Sequence, residues 1–174
     1  MQKTYQCKDC SSQISSLMRP SECENCGGRE WNVLDSARPQ ATFQFRSLIE
    51  GYCRNIGWKI HTIEDEIAVI KFDMESERTQ TVLICKYGST LEFSCPSSLG
   101  FDDLEDVNHV LSTALLQKNS EYKLGFWCLQ KLGKKYFFSL VCNAEISLIN
   151  VTHFRRLVNW LIDECESFDQ AVNS

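Results

Sequence analysis

The sequence has no long apolar run. Its longest hydrophobic stretches are about four or five residues, where a membrane-spanning helix needs about twenty. The opening segment, Met1 to Cys7, has no apolar stretch of the kind that forms an export signal. A soluble, cytoplasmic chain is therefore expected. Histidine is scarce, with three in 174 residues. His61, His109 and His153 are far apart in the chain and form no spaced cluster, so surface or packing roles are expected for each. There is no dinucleotide-binding glycine motif, no phosphate-loop lysine motif and no nucleophile-elbow serine. A cysteine–histidine pair could still converge in the fold, but nothing in the spacing favours one. No catalytic residues and no organic cofactor are expected, and the protein is read as a non-enzyme.

The chain also lacks a basic excess. Its formal charge is -5. Residues 1–32 balance Lys3, Lys8, Arg19 and Arg29 against Asp9, Glu22, Glu24 and Glu30; the remainder carries 14 basic against 19 acidic groups. Nucleic-acid binding normally leaves a basic footprint, so that class is disfavoured, although a local patch would not show in the totals.

Cysteine, in contrast, is plentiful, with ten in the chain. Four follow a metal-ligand pattern: Cys7-Lys8-Asp9-Cys10, twelve intervening residues, then Cys23-Glu24-Asn25-Cys26. Each pair closes a tight turn that offers two sulfurs to one ion, and two turns complete a tetrahedral site of four thiolates. Gly27 and Gly28 follow the second pair and allow the backbone to turn closely around a metal, with φ > 0 available. Ser11 to Glu22 is long enough for two short strands or a looped hairpin. A single CxxC is also a redox motif, but two within twenty residues, with no preceding βαβ pattern, point to metal. One structural Zn2+ held by Cys7, Cys10, Cys23 and Cys26 is the expectation, with iron, another metal or an empty site as alternatives. The segment resembles zinc ribbons and rubredoxin-like knuckles, which occur in nucleic-acid proteins and in protein-interaction adaptors alike. Trp31 and Val33 are expected to pack the ribbon's outer face. The other cysteines, Cys53, Cys85, Cys95, Cys128, Cys142 and Cys165, are scattered singly in apolar patterns and read as small hydrophobes.

Three regions follow from composition: a ribbon over 1–33, a polar linker over 34–42 and a main domain over 43–170. In the last, Phe45, Leu48, Ile49, Tyr52, Cys53 and Ile56 recur at helical spacing, predicting a helix from about Phe43 to Ile56 with Gly57 as its C-terminal cap. Gly51 inside it costs about 1 kcal/mol relative to alanine, explained either by a close contact or by simple tolerance. Strands are expected over Trp58–Ile63, Glu66–Phe72, Thr79–Tyr87 and Thr90–Cys95, with Pro96 ending the last. A second helix is expected from Asp102 or Asp103, where Asp102 and Glu105 have capping-box spacing, with Leu104, Val107, Leu111, Ala114 and Leu115 along one side. A hairpin turning at Gly133 and a closing helix over Thr152–Phe168 complete the order α-ββββ-α-ββ-α. The connections are too short for crossover helices, so the sheet is antiparallel and the class is α+β.

That order resembles the type III secretion chaperone-like fold, most closely its YbjN-type branch. Two passages carry the resemblance over about residues 43–170. One is Leu115 to Asn119 with Leu124-Gly125-Phe126; the other is Ile146 to Ile162. The resemblance implies a small non-enzymatic domain, commonly dimeric, that handles other proteins. With the zinc head, an adaptor or assembly factor is favoured over an export chaperone. Apolar runs at Ile67–Phe72 and Tyr136–Cys142 do not alternate cleanly, which also points to a protein-binding surface and self-association. The alternative is a zinc-ribbon regulator that contacts nucleic acid or the transcription machinery.

Overall fold

The computed structural model describes residues 3–10, 12–16, 19–34 and 45–173. The proposed linker, apart from Leu34, lies outside the described residues, as does the expected helix start at Phe43. The chain divides into two compact units, Met1–Phe43 and Gln44–Ser174.

The smaller unit is a three-stranded antiparallel sheet in the order β2-β1-β3, built from β1 (Lys3–Cys7), β2 (Gln13–Ser16) and β3 (Trp31–Leu34). Tyr5 pairs with Ile14 on one side, and Cys7 with Trp31 on the other. Trp31 does not lie on an outer face. It is buried with Tyr5, Cys7 and Cys23, and Cys10 and Ile14 pack against them. The cross-strand pairing with Cys7 draws the indole inward. The side chain of Val33 is outside the described ones.

The larger unit has the element order α1 (Phe45–Ile56), β4 (Ile60–Ile63), β5 (Ile67–Asp73), β6 (Thr79–Tyr87), β7 (Thr90–Phe101), α2 (His109–Lys118), β8 (Phe126–Leu132), β9 (Lys135–Glu145) and α3 (Val151–Val172), with a 3₁₀ turn at Leu104–Asp106. This is a mixed α/β domain with three helices and an antiparallel sheet in the order β4-β5-β6-β7-β9-β8. Alternation sets its core. Ala68, Ile70, Val82, Ile84, Leu91, Phe93, Leu140 and Cys142 share one face with Phe45, Ile49 and Cys53 of α1 and with the apolar stripe of α3. Phe154 is fully buried at the centre, its ring 5.1 Å from Tyr52, 5.6 Å from Phe93 and 6.0 Å from Trp58.

Three sequence expectations fail. Pro96 does not end its strand, because β7 continues to Phe101. The last β6 pairing is Leu83 with Ser94, and the β7–β9 register shifts between Pro96 and Gly100. Proline thus sits at a bulge beyond β6, where its missing N–H is tolerated. The second helix starts at His109, not at Asp102 or Asp103. Asn108 is its cap, accepting from the Leu111 N–H at 3.0 Å, whereas the Asp103 side chain caps nothing at the 3₁₀ turn. With the helix shortened, Leu104 is 55% exposed and Ala114 is exposed, so neither joins the core side expected of it.

The second face of the sheet is concave. Gln130 on β8 lies opposite Phe137, and Glu92 on β7 opposite Asn143; positions 137 and 143 of β9 would be about 20 Å apart along a flat strand. Their side chains nevertheless hydrogen bond at 3.4 Å. The sheet therefore curls, and this bridge helps to explain why Ser94, Ser139 and Val141 are buried on a face that carries none of the helical core residues.

Candidate metal centre

The two cysteine turns grow out of the small sheet. After β1 the chain reverses, and the Cys7 N–H donates to the Ser12 carbonyl at 2.9 Å. In the second turn the Gly27 N–H donates to the Cys23 carbonyl and the Cys23 N–H to the Gly28 carbonyl, both at 2.8 Å. Gly27 adopts φ +74°, where a side chain would be strained. Gly28 is constrained by space: a Cβ there would meet the Asp9 carboxylate and lie 3.2 Å from Cys7 Sγ. The backbone is as close to the sulfurs as the residue type allows.

These turns bring all four expected ligands together. The sulfurs of Cys7, Cys10, Cys23 and Cys26 lie within 4.8 Å of one another. Cys7 and Cys26 are 3.5 Å apart and Cys10 and Cys23 3.6 Å. A tetrahedron with metal–sulfur bonds of about 2.3 Å has edges of about 3.8 Å, so the spacing fits four thiolates around one ion. The cluster is thus geometrically capable of coordinating a metal. Cys7 and Cys23 are buried, Cys10 is half-buried and Cys26 exposed.

Charge makes the same point. Hydrogen bonds from the Ser12 side chain and backbone, and from Asn25, hold the Cys10 thiol down at about 6. Cys26 is pushed up to about 12; the Gly28 backbone pulls it down, but the Cys10 and Cys7 sulfurs outweigh that. The first thiolate forms easily, and sulfurs crowded beside it resist a second negative charge. A bound cation reverses that penalty and lets every sulfur ionise.

The three histidines do not converge. His61 is exposed on β4, His109 is exposed at the first position of α2, and His153 is half-buried in the first turn of α3. Cys53, Cys95, Cys142 and Cys165 are buried, and Cys85 and Cys128 half-buried. Burial pushes the thiols of Cys53 and Cys128 up to about 11 and that of Cys142 up to about 12. Such thiols are protonated and unreactive at neutral pH.

One cluster went unread in the sequence. Glu166 and Asp169 are buried on α3. Arg78 pairs with Glu166 at 2.7 Å, and the Gln80 side-chain N–H donates to Glu166 at 2.9 Å and to Asp169 at 3.0 Å. The Ser98 backbone N–H and hydroxyl also donate to Asp169, at 2.8 and 3.0 Å. Every strong acceptor is used, which marks a structural tie between α3 and the sheet. The signal was present: Asp169 falls four residues after Cys165 on the apolar stripe, where only a partnered carboxylate is tolerated. Neither models of protein families nor curated proteins give a match to this chain.

Proposed function

We propose that the protein is a non-enzymatic, cytoplasmic protein-binding adaptor or assembly factor. One structural zinc ion shapes its head, and the concave sheet face of the larger unit receives a protein partner. Zinc is favoured because four thiolates in a closed tetrahedron suit a structural rather than a catalytic site. The observation that carries the binding reading is a row of residues in register across the concave face: Val69, Leu83, Ser94, Val141 and Phe126. At its two ends Phe126 and the neighbouring Ile67 are 42% and 45% exposed. On the same face Ser139 Oγ and Gln130 Oε1 are buried without a protein hydrogen-bond partner among the described residues. The resemblance to YbjN-type, secretion-chaperone-like domains agrees with a protein-handling role and with a two-fold dimer.

The test is a tagged pulldown from native cells under reducing conditions, with Leu83→Asp and Phe126→Ser as companions. A stoichiometric protein captured by the native chain and lost by both variants supports the reading. Light scattering on the metal-loaded chain reports self-association against a monomer mass of 20.1 kDa. A salt-sensitive gel shift at physiological ionic strength would instead favour nucleic acid as partner. The Lys8–Glu30 ion pair at 2.9 Å argues against that, since it neutralises one of the head's basic groups.

A further inference from the structure

α2 is the least embedded helix of the larger unit. Its sequence offers Val110, Leu111, Ala114, Leu115 and Leu116, yet only Leu115 is buried. In contrast, α1 buries Phe45, Ile49 and Cys53, and α3 buries its stripe from Phe154 to Cys165. Val110 is 80% exposed. Beside it lies an open cleft of about 560 Å³ between α2, the end of β7 and the end of α3. Leu99, Phe101, Val110, Leu111, Ala114 and Val172 give it an apolar lining, and Asp106 and Asn108 complete it. A helix that leaves aliphatic side chains beside an apolar cleft is built to be covered.

The charge around the cleft says by what. Asp102, Asp103, Glu105 and Asp106 are all exposed, and the last of them lines the cleft. Lys135 pairs with Asp102 at 3.3 Å, and among the described residues no salt bridge is formed by the other three. An apolar floor with an acidic lip selects against acidic and neutral partners and steers basic ones. A second copy of this chain brings the same net charge of -5 and the same acidic run, so it is a poor match.

We propose that this cleft docks a basic amphipathic helix of a partner protein. Aliphatic side chains one turn apart enter between α2 and the end of β7, and flanking lysines or arginines reach the Asp103–Asp106 lip. The site is separate from the concave sheet face and stands or falls without it.

The probe is a fluorescent helical peptide of about 18 residues, with leucine along one face and lysine elsewhere, titrated by anisotropy into the full metal-loaded chain. Its counterpart carries glutamate in place of lysine. Micromolar binding of the lysine peptide is expected, with the glutamate peptide at least about tenfold weaker and affinity falling as salt rises. Ala114→Arg, which fills and reverses the cleft, is expected to weaken binding by about tenfold. The pair Asp103→Lys with Glu105→Lys should do the same. All three positions are exposed, so circular dichroism should show an unchanged fold. Leu148→Ser, at an exposed leucine outside the cleft lining, should leave binding as it was. No binding below about 1 mM, equal binding of both peptides, or indifference to Ala114→Arg would overturn the proposal. So would a dimer mass that Ala114→Arg returns to 20.1 kDa, since a second copy would then fill the cleft.

Discussion

The small unit buries Tyr5, Cys7, Cys23 and Trp31 as its core, whereas the large unit surrounds Phe154 with a continuous layer drawn from three helices and six strands. Among the described residues of the head, two of the four buried side chains belong to the cysteine cluster that could hold a metal ion. A buried apolar side chain contributes about 1.5–3 kcal/mol, and each ordered residue costs about 1–2 kcal/mol of backbone entropy. Among the described residues these four are the buried core of the head, a small one for a three-stranded sheet. A metal held by the four clustered cysteines would add the stabilisation that bound ions give to other small modules. The large unit needs no such help. On the structural-zinc reading, one chain would contain a fold that depends on a bound ion and a fold that depends on packing.

Removing the metal should break that comparison most completely. A strong chelator, or Cys23→Ser, is expected to abolish the head's structure. Protection of the Tyr5 and Trp31 amides from hydrogen exchange would vanish, while amides of β6 and β7 stay protected. Deleting residues 1–34 should likewise leave one cooperative thermal transition. If chelation melted both units together, the two would share one core. Elemental analysis of the intact protein after zinc-replete expression should give one equivalent per chain, and well under half would defeat the structural-zinc reading.

The reverse experiment acts on the large unit alone. Phe154→Ala removes a fully buried ring in contact with three others. It is expected to cost about 3–5 kcal/mol, read as a lowered denaturation midpoint, with metal stoichiometry unchanged. A loss of metal in that variant would contradict the independence of the two units.

The two units also differed in how much their sequences disclosed. The clustering of Cys7, Cys10, Cys23 and Cys26 could be read from spacing alone, because metal chemistry demands particular residue types at particular intervals. The helical stripes of α1 and α3 and the hairpin turns at Gly88 and Gly133 were legible for similar local reasons. Both glycines adopt positive φ, at 59° and 64°. What failed was longer in range. The start of α2 depended on whether Asn108 or Asp103 found a backbone N–H to cap, and both are plausible caps by composition. The continuation of β7 past Pro96 depended on where β6 stops pairing, which no property of Pro96 reveals. The curl that brings Gln130 to Glu92 is a property of the whole sheet. Glu166 and Asp169 were overlooked because their partners, Arg78, Gln80 and Ser98, lie some seventy to ninety positions away.

That carboxylate pair gives the next test. Asp169→Ala would take the acceptor from the Ser98 N–H and hydroxyl and remove one of the two bonds of the Gln80 amide, which keeps Glu166, at a cost of about 2 kcal/mol. Glu166 adds a pH dependence. The Arg78 guanidinium beside it, helped by Gln80, holds its carboxyl well below the usual range. A carboxyl lowered in the folded state binds protons more readily when unfolded. Its stabilising contribution is therefore full above the unfolded value of about 4.3. It is lost as pH falls below that value towards the folded one. Denaturation followed from pH 7 to pH 3 should show the large unit weakening below about pH 4.5, and Glu166→Gln should flatten that part of the curve. An unchanged acid limb in Glu166→Gln would show that other carboxylates carry it.

The smallest expected effect compares one substitution in both units. Gly51 lies inside α1, and a Cβ added there would meet nothing within 4 Å. Its presence is tolerance rather than a close contact. Gly51→Ala should therefore recover the helix propensity that glycine forfeits, about 1 kcal/mol, and raise the midpoint of the large unit by a few degrees. Gly28→Ala should act in the opposite direction. Its Cβ would press on Cys7 Sγ at 3.2 Å, and a sulfur fixed by a metal has little freedom to retreat. The Asp9 carboxylate can swing away, so the penalty falls on metal affinity more than on folding of the turn. A zinc competition titration should show weaker binding for Gly28→Ala and no change for Gly51→Ala. If both alanines proved neutral, the close approach of backbone to sulfur in the head would not be a constraint. If Gly51→Ala destabilised the large unit, α1 would need backbone freedom at that position for a reason outside its own helix.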